Sequence, residues 1–159
     1  MNAADVQFLF GYDRWAMERV LAACVEIDEV TWTTPDAIDR RGLAGILVHA
    51  LGAHQRWRLG LGGSAESPRP EKGPLPSVAN LQDAWLAEYA TMDAWLASLD
   101  DDAVAEVKDG SPLWQYLSHL ANHDTQHRSE AAVLLTAAGH SPGDLDMIDY
   151  IEQIARSNP

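Results

Sequence analysis

Apolar residues recur at intervals of three and four along four long stretches of the chain. From Ala4 to about Ile27 they fall at Val6, Leu9, Phe10, Trp15, Met17, Val20, Leu21, Ala23 and Cys24, close to the period of an amphipathic helix. Thr31 to Pro35, β-branched residues followed by a proline, stop that helix. Between Arg41 and Leu61 the spacing returns through Leu43, Ile46, Leu47, Ala50, Leu51, Ala53, Trp57 and Leu61, and Gly62-Gly63 terminates it. Ser77 is placed to cap a third helix, Val78 to Leu99, striped by Leu81, Trp85, Leu86, Tyr89, Met92, Trp95, Leu96 and Leu99. The helix dipole disfavours Asp100-Asp101-Asp102 at a C-terminus, so this helix ends before them, and Val104 to Val107 reads as a short extended crossing. Ser111 followed by Pro112 matches an N-cap with proline at the first helical position of a fourth helix, which Gly139 ends. Asp144 to about Arg156 gives a short fifth helix with Leu145, Ile148, Ile151 and Ile154 on one side.

Residues 63–77 contain Pro68, Pro70, Pro74 and Pro76 with Gly63 and Gly73, so no regular element fits there and the stretch is a long connection. Four long amphipathic helices with one long crossover predict an all-α fold, a four-helix bundle with a short fifth C-terminal helix, in one domain spanning residues 1–159. Such bundles place metal sites in the core, on facing helices. There is no internal repeat, no phosphate-cradling glycine loop and no G-x-S-x-G elbow.

Composition narrows the functions. Acidic residues number 24 against 11 basic ones, a formal charge of −13, and that field repels phosphate backbones, so no nucleic-acid partner is expected. Charges interrupt every apolar run well short of the roughly 20 residues a membrane span needs. The first ten residues carry Asp5 and no basic cluster, unlike a secretory signal. A single cysteine, Cys24, allows no internal disulfide, and a cytoplasmic location is expected. Cys24 itself reads as a small apolar residue on a buried helix face.

The chemistry gathers around Asn122-His123-Asp124-Thr125-Gln126-His127-Arg128, inside a run free of Gly and Pro. Two imidazoles four residues apart on a helix differ by about 40° in rotation and one turn in rise, which directs both toward one spot. Relative to the apolar direction of the fourth helix, His127 lies at about 40°, His123 at about 80° and His119 at about 120°, which turns His119 outward, while the equal spacing of His119 and His123 leaves that pair open as well. On the second helix, His49 and His54 are five residues apart, about 140° around the wheel, and both cannot meet one ion. One choice of apolar stripe favours His54 and another brings in His49, so periodicity leaves both open. His140, after Gly139, reads as a loop residue.

ILVHALGAHQRWRLGLGG resembles the second-helix pattern of the DinB/YfiT-like family, in which a ligand His precedes a Trp by eight residues; His49 and Trp57 fit that spacing. LSHLANHDTQHRSEAAVLLTAAGHSPGDLDMIDYI is similar to the family's other signature, with Asn122, His123, His127, Arg128, Leu134, Leu135, Gly139, Pro142 and Asp146 in register. Tyr12 and Trp15 resemble its first helix. The likeness covers nearly the whole chain. Two departures stand out: Ser129-Glu130 replaces the more usual Gly-Gln, and His54 stands where an acidic residue is common.

The resemblance implies a homodimeric four-helix bundle with a divalent metal ion, zinc or nickel, held by His49, His123 and His127. Three neutral imidazoles suit such ions and leave a coordination position open. Asp124, Glu130 and Asp146 are candidates to orient the rings. The family further implies a metal-dependent enzyme acting on a small molecule with a low-molecular-weight thiol, an S-transferase. The alternatives are a hydrolase using metal-bound water and a non-catalytic, metal-stabilised dimeric stress protein. Because imidazole must be neutral to coordinate, acid release near pH 6.5 is expected.

Overall fold

A computed structural model describes residues 1–35 and 40–157. Its helices are α1 (Ala3–Ala23), α2 (Glu29–Thr33), α3 (Gly42–Leu61), α4 (Val78–Ala97), α5 (Asp101–Ala105), α6 (Leu113–Ala137) and α7 (Met147–Ser157). The fold is all-α. The long helices α1, α3, α4 and α6 form a ring in which α3 packs on α6, α6 on α1, α1 on α4 and α4 on α3, and the short α7 lies against α1. Among the described residues, no helix is long and apolar enough to cross a membrane.

Most stripe residues of the four long helices face inward as two clusters, whereas Leu86 on α4 and Ile148 and Ile151 on α7, also read as stripe positions, are exposed. One cluster gathers Met17, Val20, Cys24, Trp32, Leu47, Trp85, Tyr89 and Leu135. The other gathers Phe10, Leu61, Met92, Leu96, Leu113, Leu117 and Leu120 toward the opposite end. The helix ends follow local chemistry. Asn2 and Asp5 form a reciprocal capping box on α1, with N–H to carboxamide at 2.8 Å and N–H to carboxylate at 2.9 Å. Ser77 accepts from the Asn80 N–H and starts α4 as expected.

Three local expectations are corrected. Thr31 does not simply end a helix: it lies within the short α2, because the Asp28 carboxylate accepts the Thr31 N–H at 2.9 Å and nucleates a new turn. The aspartates after α4 likewise start α5, with Asp100 capping the Ala103 N–H at 2.8 Å, so residues 104 and 105 are helical. Ser111-Pro112 is not an N-cap pair. It forms a short strand, β2, paired antiparallel with β1 (Val107–Lys108). Between them Asp109 and Gly110 both have positive φ, 48° and 88°, as a two-residue hairpin turn requires.

The 63–77 connection is irregular except for one 3₁₀ turn, Pro70–Lys72, that packs on α3. Gly52 permits this approach, since a Cβ there would come within 2.5 Å of Glu71 Oε2 and 3.0 Å of Pro70 Cδ. Arg56 fastens the segment, donating to Pro68 O at 3.0 Å and Glu71 Oε1 at 2.9 Å.

At the start of α3, Gly42 has φ +63° and any Cβ would overlap the Thr34 carbonyl. Gly42→Ala should therefore destabilise the protein by at least ~1–2 kcal/mol, whereas Gly60→Ala, in open space on α3, should be neutral or stabilise by up to ~1 kcal/mol. Urea unfolding of the two variants checks this; equal midpoints would contradict the α3 entry geometry.

Candidate metal centre

α3 and α6 pack side by side, and His49 of α3 faces the His123/His127 pair of α6. One ring nitrogen from each of the three lies within 4.8 Å of the other two. Ring centroids are 5.4 Å apart for His49 and His123, 4.9 Å for His49 and His127, and 4.4 Å for His123 and His127. His127 is buried, while His49 and His123 are half-buried, so the cluster opens toward the surface.

The tautomers follow from what surrounds the rings. His127 Nδ1 lies 2.6 Å from Glu130 Oε2, a carboxylate, and so carries the hydrogen. His123 Nδ1 is buried without a hydrogen-bond partner and faces Asp124 Oδ1 at 3.6 Å. With its hydrogen on Nδ1, His127 can accept at Nε2 from the His123 Nε2–H in the metal-free protein, at a separation of 3.2 Å. That separation also matches the edge of about 3.3 Å between two nitrogens on one tetrahedral ion with bonds of roughly 2.0–2.1 Å. The donor set therefore fits a divalent metal ion.

Electrostatics keeps the rings ready to ligate. Burial, reinforced by the Arg41 charge, pushes the His49 pKa down to about 4. Burial likewise lowers His123, with Arg41 and Arg56 adding to it. For His127 burial also prevails, although the Glu130 hydrogen bond opposes it. Glu130 accepts from Gln126 at 3.0 Å and lies 3.6 Å from Arg41, which holds it ionised as the anchor of His127. Glu71, delivered by the long connection, acts electrostatically on His49.

Of the two candidates on the second helix, His49 groups with His123 and His127, while His54, wholly buried, groups with Asp13 and Asp124. His54 Nδ1 lies 3.1 Å from Glu88 Oε1, and Arg58 grips Glu88 with two hydrogen bonds of 2.7 Å. Beside it, Arg128 pairs with Asp13 and donates to Thr125 Oγ1 at 2.9 Å, and the Tyr89 hydroxyl donates to Asp13 at 3.1 Å. Asp124, 0 % exposed, has no hydrogen-bond partner on either carboxylate oxygen. Burial raises its pKa, and the Asp13 charge adds to this.

His119 is exposed, as its wheel position indicated, and packs edge-on against Trp57 at 5.3 Å. His140 is outside the helices. Asp146 is exposed before α7, and its recorded hydrogen bonds are to Asp144 and Asp149, so it orients none of the three rings. Sequence reasoning missed Asp13, Glu88, Glu71 and Arg41. Asp13 could have been found, as an acid amid the apolar positions of α1; Glu71 could not, because its place depends on how the connection folds back.

Along the α3–α6 groove, Trp57 stacks on Tyr116 at 5.8 Å, and Trp57, His119 and His123 form a continuous line of ring contacts. That line leads from the histidines to a cavity of about 480 Å³ lined by Arg56, Trp57, Gly60, Leu61, Asp109 and Tyr116.

A sequence model of the DinB family matches residues 1–157. The chain belongs to the DinB family. No curated protein and no solved structure matches it. For this DinB-family chain, both the membership and the convergent side chains are compatible with metal binding.

The lowered imidazole pKa values carry a pH signature. In the unfolded chain each ring titrates near ~6.5, so the unfolded state binds more protons below that value and the folded state resists them. Stability from the neutral rings is complete above pH ~6.5 and drains as the pH falls toward the folded values, about 4 for His49. Metal-free protein should thus unfold at lower urea at pH 5.5 than at pH 7.5, and His49→Gln should narrow that difference. A pH-independent midpoint over this range would show that the rings are not protected from protons. Metal release by acid should correspondingly begin below pH 6.5 rather than at it.

Proposed function

We propose that the protein is a metal-dependent enzyme in which His49, His123 and His127 hold a divalent ion, zinc or nickel, and that it transfers a low-molecular-weight thiol to a small electrophilic substrate. The observation that carries this reading is the convergence of three neutral imidazoles, with no fourth side chain among the described residues in their cluster. Three protein ligands with one side open characterise catalytic rather than structural zinc. When bound, such an ion supplies Lewis acidity and lowers the pKa of a coordinated thiol or water.

The chain's own residues supply the rest. Glu130 orients His127 through a 2.6 Å hydrogen bond, and the Asp124 carboxylate lies 3.6 Å from His123 Nδ1. The Trp57–Tyr116 stack offers an apolar wall for the body of a substrate, with Arg56 and Asp109 at its polar edges. The protein's own thiol is excluded as nucleophile: burial pushes Cys24 up to about 12, and it sits in the apolar cluster with Trp32 and Trp85. An external thiol is therefore the sulfur source. The thiol's S–H proton passes to solvent, the sulfur forms a bond to the electrophilic carbon, and the bond from that carbon to the leaving group breaks, the leaving group departing with the electron pair.

We also propose that the chain forms a homodimer, as the family resemblance implies; Val133 on the outer face of α6 and Ile148 on α7 are exposed apolar side chains available for such an interface.

Metal-loaded protein incubated with an electrophile and a panel of small thiols should give thioether product by mass spectrometry, and His49→Ala should abolish it. Loss of about two orders of magnitude or more is expected for removal of a ligand. Product formation unchanged in His49→Ala would sink the ligand assignment, and hydrolysis without thiol incorporation would transfer the reaction to bound water. Light scattering should return twice the 17.4 kDa chain mass; the single-chain mass at micromolar concentration would contradict the dimer.

A further inference from the structure

We propose that Asp13, His54 and Asp124 form a second, enclosed site for a divalent transition-metal ion such as zinc, beside the three-histidine centre. The three residues come from α1, α3 and α6, each is 0 % exposed, and one donor atom from each lies within 4.8 Å of the other two.

The protonation pattern points to a ligand. Arg58 makes two hydrogen bonds to Glu88, which fixes Glu88 as an ionised acceptor. His54 Nδ1 at 3.1 Å from that carboxylate therefore carries the hydrogen, and the buried Nε2 is the atom turned toward Asp124. A carboxylate behind an imidazole is the usual support of a metal-ligating histidine. Ahead of it, His54 Nε2 and both oxygens of Asp124 have no hydrogen-bond partner.

Charge gives the same direction. Arg128 neutralises Asp13 and Arg58 neutralises Glu88, whereas Asp124 has no guanidinium of its own. Among the described residues at this layer, three carboxylates face two guanidinium groups, and the balance of one negative charge is buried away from water. A cation bound between them, or a proton held on Asp124 or His54, balances that charge.

Spacing decides between a proton and an ion. A proton shared between His54 Nε2 and Asp124 Oδ2 would hold them at about 2.7–2.9 Å. They stand 3.9 Å apart, nearer the edge of about 3.3–3.6 Å between two ligands on an ion with bonds of roughly 2.0–2.2 Å. Asp13 remains able to ligate, because each of its oxygens accepts one recorded hydrogen bond, from Arg128 or from Tyr89, and keeps a second lone pair. The other oxygen of Asp124 faces His123 Nδ1, so a single carboxylate would serve both centres.

An enclosed ion exchanges only when the bundle opens, and this separates the two centres experimentally. Full-length protein without an affinity tag, refolded with zinc and freed of excess, should hold about two equivalents per chain. His54→Gln should hold one, and the double variant His49→Ala/His127→Ala should also hold one. A chelator should strip the wild type in a fast and a slow phase, with the slow phase missing from His54→Gln. Nitrogen-15 NMR of the wild type should show His54 Nε2 as metal-bound. One equivalent in the wild type, unchanged by His54→Gln and lost from the double variant, overturns the proposal. So does a His54 ring protonated on both nitrogens in zinc-loaded protein, a readout that needs no variant to fold. One equivalent kept by the double variant and lost by His54→Gln would uphold this site while overturning the three-histidine centre.

Discussion

Arg128 is a guanidinium with almost no access to water, and the arrangement of α6 follows from finding it a partner. Its ion pair with Asp13 ties α6 to α1, the Tyr89 hydroxyl on the same carboxylate adds α4, and the Tyr12 ring lies 5.4 Å beneath the charge. Removing one member of a buried pair of this kind costs about 3–5 kcal/mol, because the other charge is stranded. Arg128 follows His127 directly, so the constraint that seats the arginine also fixes the rotation of α6 and with it the direction of both α6 histidines. Register in a helix bundle is otherwise set by interchangeable apolar contacts; here a charge sets it.

The polar centre and the histidine cluster are thus two layers of one construction. Apolar stripes bring α3 against α6, and the ionic layer stops them from sliding or rotating. Asp124 stands at the boundary, one oxygen toward His54 and the other toward His123. The outer layer is further framed by a segment that is not part of the bundle. Arg56 and Gly52 together hold the Pro70–Lys72 turn against α3, which carries Glu71 up to the rim near His49.

The helices, the caps at Ser77 and the inward stripes were legible because each depends on residues near in sequence. His123 and His127 were legible as a pair for the same reason. Whether His49 or His54 faces them was not: the two are about 140° apart, and the apolar stripe of α3 is broad enough to include either. The family spacing to Trp57 favoured His49, and the structure brings His49 to the α6 pair while turning His54 toward Glu88. The short helices α2 and α5 were misread because residues 31–35 were weighed only as a helix stop and Asp100-Asp101-Asp102 only as a disfavoured C-terminal charge, whereas Asp28 and Asp100 are N-caps of the next turn. At Ser111-Pro112 the Asp109-Gly110 turn outweighed a plausible capping pair, since pairing β1 with β2 satisfies backbone groups that a cap would have left exposed. The partners of Asp13 and Glu88 come from sequence separations of up to 115 residues, which no local pattern encodes.

The position of Cys24 has a consequence for the protein's life in a thiol-rich or oxidising medium. Burial pushes its thiol up to about 12 and leaves it 0 % exposed in the cluster that holds Trp32 and Trp85, so very little thiolate forms at neutral pH. While the chain is folded, mixed-disulfide formation has no reactive thiolate to start from, and two copies are not cross-linked through this residue.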